Sequence, residues 1–117
     1  MSMTRTTRRV LCTAALTLFL GTMAARPAAA QQKKGQQVYT AQKCQVCHAI
    51  AGKGNKANPL DGVGAKLSAD DIRQWITHPV EAAAKAKSTK KPPMPNKYSG
   101  LPKADIDALV AYLQGLK

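Results

Sequence analysis

"KCQVCHAI", residues 43–50, places two thiols and an imidazole side by side: Cys44, Cys47 and, directly after it, His48. The whole chain has one further cysteine, Cys12, and one further histidine, His78. Few other thiols or imidazoles in the chain are therefore available to join these three in one site. Their chemistry depends on the compartment in which the chain folds, so the N-terminal segment bears directly on the motif.

Residues 1–30 have the three parts of a secretory signal peptide. A basic start, "MSMTRTTRR", precedes the apolar stretch "VLCTAALTLFLGTMAA", and "RPAAA" supplies small residues before the polar "QQKKG". This pattern predicts cleavage between Ala30 and Gln31. A retained membrane anchor is the alternative, but the apolar stretch is shorter than the ~20 residues that span a bilayer. We therefore expect a periplasmic or otherwise extracytoplasmic protein.

The part that remains, residues 31–117, is long enough for one small domain. Four of the 18 Lys and Arg residues leave with the signal and all six acids stay, which gives a net charge of +8. A chain of this length buries only a modest core and commonly needs a disulfide, a metal or a cofactor.

Four interpretations of the Cys44-x-x-Cys47-His48 motif differ in what else they require. A thioredoxin-like redox pair is expected within a βαβ pattern, which is not visible here. A zinc site needs two further Cys or His ligands with workable spacing, and only His48 and the distant His78 are available. A structural disulfide leaves His48 without a role. Attachment of c-type haem uses all three residues, because each thiol adds to one vinyl group and the histidine becomes the proximal ligand. We therefore predict one covalent haem c.

Haem attachment also bears on the export route. It takes place after translocation, on an unfolded chain with reduced thiols, which favours the general secretory route. Arg8–Arg9 faintly resembles a twin-arginine signal and so suggests the other route. Cys12 is not expected to carry a lipid, because it lies at the start of the apolar stretch without small residues before it.

Met94 is the predicted second axial ligand. It is the one methionine of residues 31–117 and stands among prolines in "KKPPMPNKYSG". Each proline fixes φ at about −65° and stiffens the segment, and methionine opposite histidine raises the potential of a haem. A lone methionine is otherwise a common gap-filler in a core. His78 is the other candidate ligand, although its position before Pro79 also suits a solvated histidine at a helix end.

Residues 33–117 resemble a small class I cytochrome c. The resemblance rests on the specific stretches "GQQVYTAQKCQVCH" and "PPMPNKYSGLP", and more weakly on "NPLDGVG" and "DIDALVAYLQGLK". It implies an all-α cytochrome c fold, with three to four short helices wrapped around one haem.

The helical patterns agree with this fold class. "GQQVYTAQKC", residues 35–44, predicts a helix that runs into the haem motif, and "SADDIRQWI" predicts another, with Ser68 as N-cap and an end before Pro79. "PVEAAAKAK" offers a short additional helix, and "KGNKANPLDGVG" predicts a loop. The last helix starts near Pro102. Its apolar face consists of Ile106, Leu109, Val110 and Leu113.

The resemblance assigns a helix crossing and a hydrogen bond to particular residues. Gly35 and Tyr39 match the family positions at which the first helix crosses the last, and Tyr112 matches their aromatic partner. Pro59 matches the proline whose carbonyl accepts the second N–H of the proximal histidine, a bond that fixes the ring and raises its basicity. Leu60 stands where the family more often has Asn, so the loop departs from the usual pattern.

Two further aromatic residues are placed near the haem by the same resemblance. Trp75 is expected to donate its N–H to a haem propionate, with simple core packing as the alternative. Tyr98 is expected to cover the methionine side of the pocket.

A haem with both axial positions filled has no place for a substrate, so we expect a one-electron carrier without catalytic residues. Lysines on both sides of the haem motif suit redox partners with acidic docking faces. We expect a monomer, no nucleic acid as partner, and at most a weak contact with anionic membrane surface. Two alternatives stay open: a dedicated haem subunit of a periplasmic oxidoreductase complex, and an open-haem peroxidase or gas-binding protein.

Overall fold

The computed structural model describes residues 28–117. Nearly all of the predicted signal peptide, with Arg8, Arg9 and Cys12, lies outside the described residues. Within residues 28–117, none of the helices combines the length and the apolar character needed to cross a membrane.

Helices dominate the described part of the chain. They are α1 (Ala28–Ala41), α2 (Val63–Lys66), α3 (Ala69–Thr77), α4 (Pro79–Lys85) and α5 (Lys103–Gln114). The strands β1 (Ala49–Ile50) and β2 (Lys53–Gly54) form a minimal antiparallel hairpin, and 3-10 turns cover Cys44–Val46 and Tyr98–Gly100. The predicted all-α class is confirmed.

The predicted start of α3 is confirmed by its cap. The Ser68 hydroxyl oxygen accepts a hydrogen bond from the Asp71 backbone N–H at 3.1 Å, and Asp70 and Asp71 occupy the first turn. The Ser68 hydroxyl also donates to the Asp71 carboxylate at 2.7 Å. The helix ends at Thr77, and Pro79 then opens α4, because a residue without an N–H is tolerated in the first turn of a helix.

The crossing of α1 and α5 is also as predicted. Gly35 is buried so closely against α5 that a Cβ there would overlap the carbonyl oxygen of Ala108 and the Cβ of Tyr112. The rings of Tyr39 and Tyr112 meet edge to face, with centroids 6.0 Å apart and planes at 60°. α1 leads directly into the Cys44 turn, so this crossing fixes one side of the haem motif.

The hydrophobic core is centred on α5. The predicted face of this helix is buried throughout, at Ile106, Leu109, Val110 and Leu113. The other buried members of the same cluster are Val38, Tyr39, Ile72, Ile76 and Tyr98.

Residues 53–64 are more ordered than the predicted loop. They contain β2 and the start of α2, which docks on the end of α5 through Gly64. The Gly64 N–H donates to the Leu116 carbonyl at 2.8 Å, and the Gln114 side chain donates to the Gly64 carbonyl at 2.8 Å. These contacts come from distant parts of the chain, so a local pattern could not have indicated them.

Candidate haem site

The haem motif forms a single tight turn after α1. Lys43 adopts the left-handed conformation, with φ of 56°, and separates the helix from the 3-10 turn that starts at Cys44. The backbone N–H groups of Cys47 and His48 both donate to the Cys44 carbonyl, at 3.2 and 2.9 Å. Cys44 is half-buried, Cys47 is exposed, and the two thiols are not joined in a disulfide.

The ring of His48 is held by one nitrogen. Nδ1 lies 3.1 Å from the carbonyl oxygen of Asn58, and donation of its N–H to that oxygen leaves Nε2 free to bind a metal. Burial lowers the pKa of His48, an effect that the Asn58 bond partly opposes. The neutral imidazole, which is the form that coordinates iron, is therefore favoured.

The carbonyl of Pro59 is the predicted acceptor of this bond, and the prediction is wrong by one residue, because the acceptor is the carbonyl of Asn58. Ala49 and Pro59 form a parallel bridge in which Ala49 donates to Asn58 and Leu60 donates to Ala49, at 3.3 and 2.8 Å. This register turns the Asn58 carbonyl toward the His48 side of the bridge. The carbonyl of Asn58 therefore accepts from both Ala49 and His48. Direct contact of Pro59 with haem stays a prediction.

Met94 lies in the long segment between α4 and α5. It is half-buried and packs against the hydrophobic core, whereas Pro92, Pro93 and Pro95 around it are exposed. The segment thus turns one apolar side chain inward and its prolines outward. Its ligation of iron remains a prediction, and the half-buried position is compatible with it.

Tyr98 belongs to the core against which both Met94 and Cys44 pack. Its ring is buried in the core, and burial, with smaller contributions from the thiols of Cys44 and Cys47, raises the pKa of its hydroxyl. The ammonium of Lys97 lies 5.2 Å from the centre of the Tyr98 ring. Cover of the methionine side by Tyr98 stays a prediction.

Trp75 lies at the junction of α3 and α4. Its side chain is half-buried and lines an open depression of about 280 Å³ between α3 and α4, beside Leu67, Ala82 and Lys85. Neither Cys44 nor His48 lines this depression. A hydrogen bond from Trp75 to a propionate stays a prediction.

Gly54 and Asn55 support the haem motif and were missed from the sequence. A Cβ on Gly54, whose φ is 108°, would overlap the His48 carbonyl oxygen. The Asn55 N–H donates to the carbonyls of Gln45 and His48, at 3.1 and 3.0 Å. The "GKGN" pattern indicated a turn at this place but not what the turn contacts.

These residues fit what haem c requires. Two unpaired thiols and an imidazole with a free Nε2 share one turn, next to a core whose margin is formed by apolar side chains that are only partly buried. These include Ile50, Leu60, Val63, Leu67, Met94 and Leu101. A flat apolar macrocycle would cover such a margin. In the part of the chain that is described, no three His, Cys, Asp or Glu side chains are grouped to hold a metal ion, so the zinc interpretation gains no support.

Comparison with known proteins agrees with the site. A family model described as cytochrome c matches residues 32–117, a range that includes both the haem motif and Met94. Comparisons with curated proteins and with solved structures gave no match. Because the matched range covers most of the chain, this protein belongs to the cytochrome c family, whose haem is attached covalently through cysteines, here Cys44 and Cys47.

Proposed function

We propose that this protein is an exported carrier of single electrons, with His48 and Met94 as the two axial ligands of its haem. The observation that carries the proposal is the oriented imidazole of His48, bonded at Nδ1 to Asn58, together with a thioether half-buried on the same core. The haem, when bound with both positions filled, supplies a one-electron Fe(III)/Fe(II) couple and no site for a substrate.

The residues of the chain then orient the ligands and exclude solvent. The Asn58 carbonyl holds the His48 ring and increases the basicity of the nitrogen opposite. The prolines around Met94 restrict the backbone that presents its thioether. Tyr98, which is buried in the core four residues after Met94, helps to exclude solvent on this side. Ligands that stay in place in both oxidation states keep reorganisation small, which favours rapid electron transfer.

A basic face supports an acidic redox partner. We define it by Lys53, Lys56, Lys90, Lys91 and Lys97. The ammonium of Lys90 donates to the Ala57 carbonyl at 3.3 Å, which brings the lysines of the Met94 segment beside those of the loop after His48. Among the described residues, the ion pairs join Asp71, Asp105 and Asp107 to other cations, and none of these five lysines takes part. Such a face steers association with an acidic surface.

The two alternatives are less well supported. A permanent subunit is expected to expose a sizeable apolar patch, and the large apolar side chains exposed in residues 28–117 are Val46 and Val80, at 65% and 67%. Val46 lies inside the haem motif, where a single apolar residue beside a basic face suits a transient contact. A peroxidase needs an acid–base group near the open side, and Tyr98, with its raised pKa, is a poor one.

Voltammetry of the purified holoprotein tests the carrier function without knowledge of its partner. We expect a reversible one-electron couple on an electrode coated with carboxylate-terminated molecules, and slower exchange on an amine-terminated coating. Neutralising Lys90 and Lys91 together should remove much of the difference, whereas Lys66→Gln, on α2, should leave it unchanged. Equal rates on both coatings, or a catalytic current with peroxide, would contradict the proposal.

Export is tested separately, through the signal segment. Replacing Arg8 and Arg9 by lysine should leave the holoprotein in the periplasmic fraction, because the general secretory route needs positive charge but not the arginine pair. Loss of export specific to this exchange would show that the twin-arginine route is used.

A further inference from the structure

Asn55 joins the haem motif to the loop that follows it. Its side-chain N–H donates to the Val46 carbonyl at 3.4 Å, inside the motif, and its side-chain oxygen accepts from the Ala57 N–H at 3.0 Å, in the loop. Its backbone carbonyl accepts from the Asn58 N–H at 3.3 Å. One short side chain thus contacts both segments.

The loop between Asn55 and Asn58 ends at the acceptor for His48. Its course is set by the turn that the Asn55 side chain closes on Ala57, a local arrangement that asparagine favours. Asn55 is exposed, so its side chain contributes little by packing. Its backbone N–H still bonds to Gln45 and His48 after a substitution, so the effect of the side chain can be measured alone.

We infer that Asn55 is a positioning residue for the proximal histidine. Its side chain holds the Asn58 carbonyl at hydrogen-bond distance from the His48 ring and so helps to set the reduction potential. A shorter or steadier Nδ1–H bond makes the imidazole a stronger donor, which stabilises Fe(III) and lowers the potential. The inference rests on the proposed axial role of His48.

The test compares holoproteins that differ at one asparagine. The readouts are solvent exchange of the His48 Nδ1 proton, followed by NMR in the reduced protein, and the reduction potential. Asn55→Ala should speed exchange by roughly three- to ten-fold, as the loss of one hydrogen bond implies, and should raise the potential. Asn96→Ala removes the same amide from an exposed turn outside the His48 loop and should leave exchange of the His48 proton unchanged. Asn55→Asp keeps an acceptor for Ala57, so exchange should stay near the wild-type rate.

Exchange in Asn55→Ala equal to that in Asn96→Ala would overturn the inference. If Asn55→Ala yields no holoprotein, Asn55→Gln decides: it keeps the amide, but its side chain is one methylene too long to close the same turn on Ala57. Fast exchange in Asn55→Gln supports the positioning role, and exchange at the wild-type rate overturns it. The exchange readout involves His48 and Asn58 and not Met94. A wrong assignment of Met94 would therefore appear in the spectrum of the wild type and is distinguishable from failure of this inference.

Discussion

Gly35→Ala should weaken the crossing that holds the haem motif in place. The added Cβ would overlap the backbone carbonyl of Ala108, which cannot move aside by a rotamer change, so α1 and α5 must separate. Overpacking of this kind costs about 1–3 kcal/mol, and the better helix propensity of alanine returns about 0.5–1 kcal/mol. The net loss of stability is then at most about 2.5 kcal/mol, or roughly 20 °C in Tm for a domain of this size. Because the overlap is with backbone, we expect the upper half of that range.

Thermal unfolding of the holoprotein, followed by circular dichroism, measures this loss. Gly100→Ala makes the same chemical change where no atom lies within 4 Å of the new Cβ. It should alter the free energy of unfolding by less than about 0.5 kcal/mol. If the two variants unfold at the same temperature, close packing of Gly35 does not contribute to stability and the reasoning is refuted.

Three further predictions concern other parts of the chain. Ser68→Ala should lower the free energy of unfolding by about 1 kcal/mol through loss of the α3 cap, without changing the haem spectrum; an unchanged Tm would contradict this. Replacing Cys44 and Cys47 by alanine should give a haem-free chain with little fixed tertiary structure, and a cooperative thermal transition in that variant would show that the polypeptide core suffices. Lys90→Ala should speed binding of external imidazole to the iron, because the bond to Ala57 no longer restrains the Met94 segment. Lys91→Ala removes the same charge without such a bond, and equal rates for both variants would assign the effect to charge alone.

Features with a local cause could be predicted from the sequence. α3 carries its own cap at Ser68, and α5 repeats apolar residues at helical spacing, so both helices were located from their residues. α1 already includes Ala28, seven residues before the expected start at Gly35, because alanine, glutamine and lysine extend the helix without an apolar face to reveal it. The left-handed Lys43 ends it before Cys44, a detail that the residue type did not indicate.

Features that depend on distant contacts could not be predicted. α2 is a single helical turn that Gly64 docks on the end of α5. The acceptor for His48 depends on the register of the Ala49–Pro59 bridge, and one residue of difference changes it from Pro59 to Asn58. The partners of Asn55 are main-chain N–H and carbonyl groups, which nearly every residue possesses, so the sequence alone did not distinguish them.

The atom opposite His48 decides whether this protein is a carrier. Its absorption in the far red reports that atom, because a sulfur ligand gives ferric haem a weak charge-transfer band there. Wild type should show the band, and Met94→Ala should abolish it, lower the potential and open the iron to carbon monoxide. His78 is exposed and bonded to the Thr77 hydroxyl at 2.8 Å, so His78→Ala should leave the band intact. A band that is absent from the wild type, or that survives Met94→Ala, would contradict His48/Met94 ligation.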